Sequence, residues 1–467
     1  MEGNVRMGTV VERIGEYAVS LRPEHLDPAV TDYVKRILLD SLACAYGGLE
    51  SEPARIVRRG IAELDGNAQA TLIGKGAKAN AQFAALANGV AIRYQDYNDV
   101  YFGPAWTAHP SDTIATVLAA AEWSGRSGMD FLLGVIVAYE VQLRFSDLPV
   151  TKNLWHRGWH HTAACAYAAA AGAGRLLGLD AAQIGHAVAL AGARSNTFSE
   201  IRHGDIPMDK ALSAPIVASQ AILYALLARQ GFTGCVTLLE GPYGFANAVA
   251  GGVDVEPLVP QRGDFRIMKI GLKPYPVEGM TPAMVQAAIE LRNEHQLKPD
   301  EIESIRILAH EEAVTKPSWD DHKHAPVNKE TADHSFYYCT AVGLVAGECT
   351  SEQFDDRWFQ NPEVARLMRV CTLEAKPELT ALFKQGARPA AVEVKTRRGM
   401  FRREVLYPKG DPQNPMTWDD VTRKFMKQAE PVIGHGPAAK IVDRTAAVDK
   451  EGNMRAYCDL LSTTAGR

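Results

Sequence analysis

Runs of alanine and glycine inside helical patterns constrain the fold of this 467-residue chain more than any other feature. The longest weakly polar run is TAACAYAAAAGAG, at 162–174. Because small side chains let neighbouring helices approach closely, the pattern favours a compact helical bundle or an extensive helical dimer face. The run is too short and too poor in leucine to span a bilayer, so no membrane partner is expected.

Helix-start signals precede several apolar faces between residues 1 and 260. In the segment 27–48, Asp27 is placed to cap a helix whose first position is taken by Pro28. A second helix is predicted after Asp180, where Gln183 follows three residues later as in a capping box. These segments predict an α-helical domain.

The pattern changes near residue 265. EIESIRILAHEEA (301–313) alternates apolar and polar residues as a strand does, and 390–410 predicts a hairpin that turns at Arg398–Gly399. We therefore predict a mainly α protein. A large all-α domain is formed by 1–267 and 409–467, and a smaller α+β domain by 268–408.

Composition and motif absences exclude several classes of function. The net charge is −5 without a basic block, so nucleic acid is not an expected partner. The seven cysteines contain no CxxC pair, which disfavours disulfide frameworks, zinc knuckles and iron–sulfur clusters and suits a reducing compartment. The chain begins without a signal-peptide pattern, and a cytoplasmic protein is expected. Phosphate-loop, dinucleotide-binding and GxSxG motifs are missing from the sequence.

The segment YQDYNDVYFGPAWTAHPSD (94–112) carries many polar and aromatic groups directly before a predicted helix. Capping of that helix would explain Ser111 and Asp112 without any function. It does not explain Asp96 and His109, which a loop could bring together over a ligand. A helix start is also a suitable place for an anion.

Two further segments supply candidate polar groups. In WHRGWHHTA, His156 and His160 have the i,i+4 spacing of a metal pair, but Gly158 weakens the helix and no HExxH motif is present. His160 and its neighbour His161 also precede an apolar helix, as His109 does. One anion-binding cleft would explain both placements, and coincidence is the alternative.

Two lysines have competing interpretations. Lys210 lies where an apolar helix begins, and a lysine in such a place is usually a surface residue with a buried stem. Lys273 precedes a rigid Pro-Tyr-Pro at the predicted domain junction, where ligands often bind, although simple linker chemistry is the alternative.

Taken together, the chain resembles the MmgE/PrpD family, which includes 2-methylcitrate dehydratase, cis-aconitate decarboxylase and iminodisuccinate epimerase. The resemblance covers nearly the whole length and rests on AIRYQDYNDVYFGPAWTAHPSD (91–112), RGWHHTA (157–163), MDKALSAP (208–215), LKPYPVEGMT (272–281), ETADHSFYY (330–338) and YPKGD (407–411). It implies a helical domain built from both chain ends, an inserted lid domain and a homodimer. It also implies a small-molecule carboxylate substrate bound between helical domain and lid, with no cofactor and no metal.

The resemblance implies a set of site residues. The catalytic candidates are Asp96, His109, His160, Lys210 and Lys273. Lysines suit the negative charge that develops when a proton leaves carbon beside a carboxylate, and histidines suit general acid–base roles. Asp96 is either the base or a group that orients a histidine. Ser111 and Glu278 are predicted to bind substrate.

The expected activity is that of a metal-independent hydro-lyase acting on a hydroxy di- or tricarboxylate such as 2-methylcitrate. Two departures from the family pattern bear on this expectation. Glu278 occupies a position where decarboxylase-type members carry histidine, which favours dehydration, and Val100 replaces a frequent threonine. The alternatives are a dicarboxylate isomerase or epimerase, a cis-aconitate decarboxylase, and a non-catalytic acid-binding protein.

Overall fold

A computed structural model describes residues 8–64, 66–315 and 321–464. The first helices are α1 (Val10–Ser20), α2 (Pro28–Gly48), α3 (Glu52–Ala62), α4 (Ala81–Tyr94), α5 (Ile114–Ser124), α6 (Gly128–Ser146), α7 (Thr162–Leu176), α8 (Ala181–Gly192), α9 (Asp209–Arg229) and α10 (Phe245–Ala248). The next are α11 (Pro282–His295), α12 (Glu311–Thr315), α13 (Lys329–Ala332), α14 (Phe336–Ala346), α15 (Asp356–Phe359), α16 (Pro362–Arg369) and α17 (Pro377–Lys384). The last are α18 (Trp418–Ile433), α19 (His435–Ala446) and α20 (Met454–Leu461). The predicted mainly α, two-domain fold is confirmed.

Local capping explains why two of the predicted helices begin where they do. The Asp27 carboxylate accepts a 2.8 Å hydrogen bond from the Ala29 backbone N–H, and Pro28 fills the first position of α2. Asp180 and Gln183 form the predicted capping box at the start of α8. Both helix-start predictions are confirmed.

The alanine-rich helix α7 is buried inside the larger domain, against α6, α8 and α9. A Cβ atom on Gly172 would lie 2.7 Å from the Gly134 carbonyl oxygen, so glycine is required for the approach of α7 to α6. The bundle interpretation of the 162–174 run is therefore correct. Helix α9 is long and apolar enough to cross a membrane by length and composition alone, but 61% of that stretch is buried within the fold.

The smaller domain packs its helices on a four-stranded sheet. The strands of the protein are β1 (Ala70–Leu72), β2 (Ala77–Ala79), β3 (Tyr101–Phe102), β4 (Thr107–Ala108), β5 (Ile302–Ala309), β6 (Cys371–Ala375), β7 (Ala390–Thr396) and β8 (Gly399–Val405). The sheet has the order β6-β5-β7-β8, with β5 parallel to β6 and antiparallel to β7. The hairpin turns at Arg397–Arg398, one residue before the predicted turn, because Thr396 pairs with Gly399.

The two domains have separate hydrophobic cores. One core draws on residues between 10 and 272 and between 416 and 461, and the other on residues between 277 and 405. The chain passes into and out of the smaller domain at adjacent points, where the Leu272 N–H donates to the Gly410 carbonyl at 2.9 Å. A Cβ atom on Gly410, whose φ is +90°, would lie 1.8 Å from the Leu272 oxygen. The boundaries at 267/268 and 408/409 stay predictions.

Candidate active site

A polar cleft lies between the two domains. Its walls combine residues from the helical domain with residues from the smaller domain: Asp96, Trp106, Thr107, His109, Asn153, Trp155, His161, Arg202, Glu278, Gly279 and His334. Clefts at domain interfaces that contain converging polar and aromatic groups are common ligand sites. This cleft contains three of the seven predicted site residues, namely Asp96, His109 and Glu278.

The 94–112 segment folds back on itself through the β3–β4 hairpin, which pairs Tyr101 with Ala108. Asp96, just after α4, and His109, just after β4, therefore lie at the same end of the hairpin. Asp96 has a φ of +50°, a conformation that costs energy for a residue other than glycine and that is often found at functional sites. The predicted apposition of these two side chains across the loop is observed.

The predicted capping role of this segment is wrong. The short 3₁₀ helix at Pro110–Thr113 and the following α5 have no side-chain cap, and Ser111 instead donates to the Asp99 carboxylate at 2.7 Å. Asn98 donates to both the Ser111 hydroxyl and Asp112. The caps fail because buried partners take these side chains. Ser111 is 1% exposed and is not among the described residues that line the cleft, and its predicted substrate-binding role stays a prediction.

Behind the cleft, Asp96, Lys210, Lys273 and Asp333 form what we call the ion-pair cluster. The Lys273 ammonium contacts Asp96 Oδ1 and donates to the Val277 carbonyl at 3.0 Å. The Lys210 ammonium lies 3.0 Å from Asp96 Oδ2 and 2.9 Å from Asp333 Oδ2. Both lysines are only 1% exposed, so the surface interpretation of Lys210 is wrong. The structure brings them to Asp96 rather than to the open space of the cleft.

The charges of the ion-pair cluster hold it ionised. Burial opposes the charge on Asp96, but Lys210, Lys273 and Arg93 outweigh burial and keep the pKa of this carboxyl well below its usual value. Burial lowers the pKa of Lys210 to about 8 despite its two acidic partners. Asp96 is therefore a carboxylate at all physiological pH values, and both of its oxygens already contact lysine ammonium groups.

Three ligating atoms, from Asp96, Asp333 and His334, come within 4.8 Å of one another and form the one candidate metal-binding group among the described residues. The Lys210 ammonium already occupies the centre of this group, since it lies within 3.0 Å of both carboxylates and 3.4 Å of His334 Nδ1. A divalent cation would have to displace that ammonium. The donor set therefore fits a lysine better than a metal ion.

His109 is held as a neutral imidazole with a defined tautomer. Its Nδ1 lies 2.6 Å from the Asp99 backbone carbonyl, which can only accept, so Nδ1 carries the proton and Nε2 carries the lone pair. Burial lowers the pKa of His109 well below its usual value, and the cations Arg93 and Lys273 lower it further. The Asp99 carboxyl, whose pKa burial raises to about 7, is itself fixed by Ser111 and Tyr139.

His161, rather than His160, lines the cleft beside His109. The ring centroids of His109 and His161 are 5.2 Å apart, and His161 Nε2 lies 3.8 Å from Asp112 Oδ2. His160 is fully buried behind His161 and bonds through Nδ1 to the Thr162 hydroxyl at 3.0 Å. His156 is exposed, and no helix in the described structure spans 156–160, so the metal pair does not form. The catalytic role of His160 stays a prediction.

Among the charged and titratable residues of the cleft, sequence reasoning missed Arg202 and His334. Arg202 ends a short 3₁₀ helix at Ser199–Arg202, and its Nη1 lies 3.3 Å from His334 Nε2. His334 follows α13 and contacts Asp333 through Nδ1. The adjacent Asp-His pair within ETADHSFYY was a visible signal for His334. Arg202 had none, because its partner lies 132 residues away.

Glu278 projects into the cleft from the smaller domain, as its predicted substrate-binding role requires. Its carboxylate accepts from the Met280 backbone N–H at 2.7 Å, and its own N–H donates to the Asp333 carbonyl at 2.8 Å. Val100 lines a neighbouring cavity with Phe102 and Arg388, and it is not one of the described residues lining the cleft.

This architecture is matched by family models along most of the chain. Residues 12–258 match the MmgE/PrpD N-terminal domain and residues 275–450 the MmgE/PrpD C-terminal domain. The chain belongs to the MmgE/PrpD family, so the predicted resemblance is confirmed.

Individual relatives include members named for two lyase reactions. A 2-methylcitrate dehydratase of Cupriavidus necator is 28% identical over 410 residues, covering 81% of each chain. The human cis-aconitate decarboxylase is 26% identical over 450 residues, covering 91% of this chain and 89% of its own. A mitochondrial 2-methylcitrate dehydratase of Yarrowia lipolytica is 26% identical over 395 residues, covering 79% and 72%.

Proposed function

We propose that this protein is a hydro-lyase that removes water from a small hydroxy di- or tricarboxylate such as 2-methylcitrate. The observation that carries the proposal is the tautomer of His109, whose hydrogen bond to the Asp99 carbonyl directs an unprotonated Nε2 toward the cleft. A neutral imidazole that stays unprotonated across the physiological range can accept a carbon-bound proton.

The proposed dehydration also needs a group that protonates the departing hydroxyl. His161 is placed for this step, because it lines the cleft beside His109 and has Asp112 next to it. The charge of the Asp112 carboxylate, whose Oδ2 lies 3.8 Å from His161 Nε2, would favour the protonated imidazole. The pair thus supplies an acid next to the base.

Negative charge that develops on the substrate carboxylate would be stabilised by cations next to the cleft. Lys210, Lys273 and Arg93 surround Asp96, which lines the cleft, so three cations lie directly behind this wall. Asp96 then orients the lysines rather than accepting the substrate proton. Because Lys210 occupies the centre of the candidate metal group, we further propose that the reaction proceeds without a metal or other cofactor.

The relatives named cis-aconitate decarboxylase keep decarboxylation open as a second activity of this site. Three readouts on one preparation separate the possible reactions. EDTA-treated protein is incubated with 2-methylcitrate, citrate, cis-aconitate and a chiral dicarboxylate. Alkene absorbance, CO₂ release and optical rotation are then followed.

New alkene without CO₂, undiminished by EDTA, is the expected result. CO₂ release from cis-aconitate would identify a decarboxylase, and loss of rotation alone would identify an isomerase or epimerase. Loss of activity in EDTA, with recovery on adding a metal ion, would contradict metal independence. A homodimer is proposed on the family resemblance, and a cytoplasmic location on the dispersed cysteines, which suit a reducing compartment.

A further inference from the structure

Among the buried arginines of the described residues, Arg202 is the one without a carboxylate within 4.0 Å. Each of the following lies within 4.0 Å of a carboxylate: Arg93, Arg144, Lys210, Lys273 and Lys424. Arg202 is 6% exposed, and no described carboxylate lies within 4.0 Å of its guanidinium. A buried charge without a counter-charge is costly, so it marks a place where a ligand is expected to supply the missing charge.

The donors of Arg202 are only partly used. Its Nη1 lies 3.3 Å from His334 Nε2, whereas Nε and Nη2 are buried without a hydrogen-bond partner among the described residues. Nε and one terminal nitrogen form the edge of a guanidinium that matches the two oxygens of a carboxylate. The Arg202 guanidinium carbon lies 5.7 Å from the centre of the Trp155 ring, and both residues line the cleft.

The contact with His334 fixes the tautomer of that imidazole. Because an arginine can only donate, His334 Nε2 accepts from Arg202, and Nδ1 carries the proton that it shares with Asp333. Asp333 is in turn held by Lys210 and by Lys329. His334 therefore remains neutral and supports the guanidinium from the lid side of the cleft.

We propose that Arg202 binds one carboxylate of the substrate through Nε and Nη2, and that His334 is the positioning residue that orients it. This inference rests on the proposed function in that the substrate is a carboxylate. It deepens that function by naming the group that recognises the substrate. Glu278 lines the same cleft, and an uncharged part of the substrate is expected to face its carboxylate.

The proposal also links recognition to the position of the lid. Arg202 belongs to the helical domain and His334 to the smaller domain, so the bond between them crosses the cleft. The guanidinium has its full support only when the lid is in the arrangement seen here. Substrate that reaches Arg202 therefore favours that arrangement.

The test uses tricarballylate (propane-1,2,3-tricarboxylate), which lacks a hydroxyl leaving group, as a non-reacting probe in calorimetric titrations of the full-length protein. We expect Arg202→Gln to weaken binding at least about tenfold and Arg202→Lys to weaken it less, because the lysine keeps the charge but loses the fork. Arg229→Gln, at the exposed end of α9, is the matched control and should bind as the wild type does. Thermal unfolding checks that each variant is folded.

A double-variant cycle tests the role of His334. His334→Ala should weaken binding about threefold to tenfold, and His334→Gln, whose amide oxygen can still accept from Arg202, should restore most of it. In an Arg202→Gln background, His334→Ala should have no further effect. A loss that adds fully to that of Arg202→Gln would show a merely structural role and overturn the positioning assignment.

Tricarballylate binding that is absent in the wild type, or unchanged in Arg202→Gln, overturns the assignment of Arg202. The assignment and the proposed function fail separately. If the protein binds the probe through Arg202 but turns over no hydroxy acid, the carboxylate-binding role of Arg202 stands and the dehydratase proposal fails. A protein that dehydrates 2-methylcitrate with an Arg202→Gln KM equal to the wild-type value retains the activity and loses the carboxylate-binding role of Arg202.

Discussion

Two groups of buried polar side chains lie next to each other at the domain junction, and they differ in whether their charges and hydrogen-bonding groups have partners. In the ion-pair cluster every charge has an opposite charge within about 3 Å. On the cleft side, His109 offers a lone pair and Arg202 offers unused donors. Asp96 belongs to both, since it anchors the lysines and lines the cleft. Residues whose partners lie within the protein hold the site together, whereas residues with unused donors or lone pairs are available to bind a ligand.

The largest expected effect is on the cleft side. His109→Gln removes the proposed base and should lower kcat by about 10²- to 10⁴-fold, while the free energy of unfolding changes by no more than about 1 kcal/mol. Steady-state kinetics and urea unfolding measure the two quantities. His435→Gln, at an exposed histidine on α19, should change neither. A variant that kept most of its kcat would remove His109 from the mechanism.

The ion-pair cluster should show the opposite balance. Asp96→Asn leaves Lys273 buried without its carboxylate partner and should lower the free energy of unfolding by about 3–5 kcal/mol. Asp32→Asn breaks an exposed i,i+4 pair with Arg36 and should cost no more than about 1 kcal/mol. Urea titrations compare both with the wild type. Equal losses in the two variants would mean that the cluster does not depend on its shared charge.

A pair of neighbouring histidines sharpens the boundary between the two groups. His161 lines the cleft and His160 lies behind it, so His161→Gln should lower kcat by about 10²-fold or more, and His160→Gln by clearly less. Stopped assays of alkene formation at saturating substrate compare the two. The reverse ranking would return the acid–base role to His160, as the sequence predicts.

The smallest effect concerns pH. Burial lowers the pKa of His334 to about 3, so below pH 6.5 the unfolded chain takes up a proton at this residue that the folded protein refuses. This histidine therefore removes about 1.4 kcal/mol of stability for each pH unit between 6.5 and about 3. His334→Gln should flatten the pH dependence by that amount. Urea unfolding at pH 7, 6 and 5 tests this against His435→Gln, whose curve should follow the wild type.

Sequence reasoning reached the features that depend on neighbouring residues. The caps at Asp27 and Asp180 are local, so their helices were predictable. Strand β6 was not, because five residues at a sheet edge carry little alternation. The predicted turn at Arg398–Gly399 missed by one residue, since glycine there pairs in β8 rather than turning.

The candidate site divides in the same way. Asp96 and His109 both belong to the 94–112 segment and flank the same hairpin, so the sequence alone indicated that they lie close together. The choice between His160 and His161 depends on which ring faces the cleft, a detail of how α7 begins. The candidate role of Arg202 could not be predicted, because it depends on which described residues surround the guanidinium in the folded chain.

The chain enters the smaller domain at Leu272 and leaves it at Gly410, and these two residues are hydrogen-bonded neighbours. The covalent connection between the domains is therefore narrow. Because these two connections are adjacent, the smaller domain could rotate about them only if the contacts across the cleft, Lys210 with Asp333 and Arg202 with His334, were broken. Gly410 allows the two connecting segments to approach this closely because it has no Cβ atom. A methyl group at Gly410 would push the Leu272 backbone away and so displace Lys273, the next residue, from the ion-pair cluster.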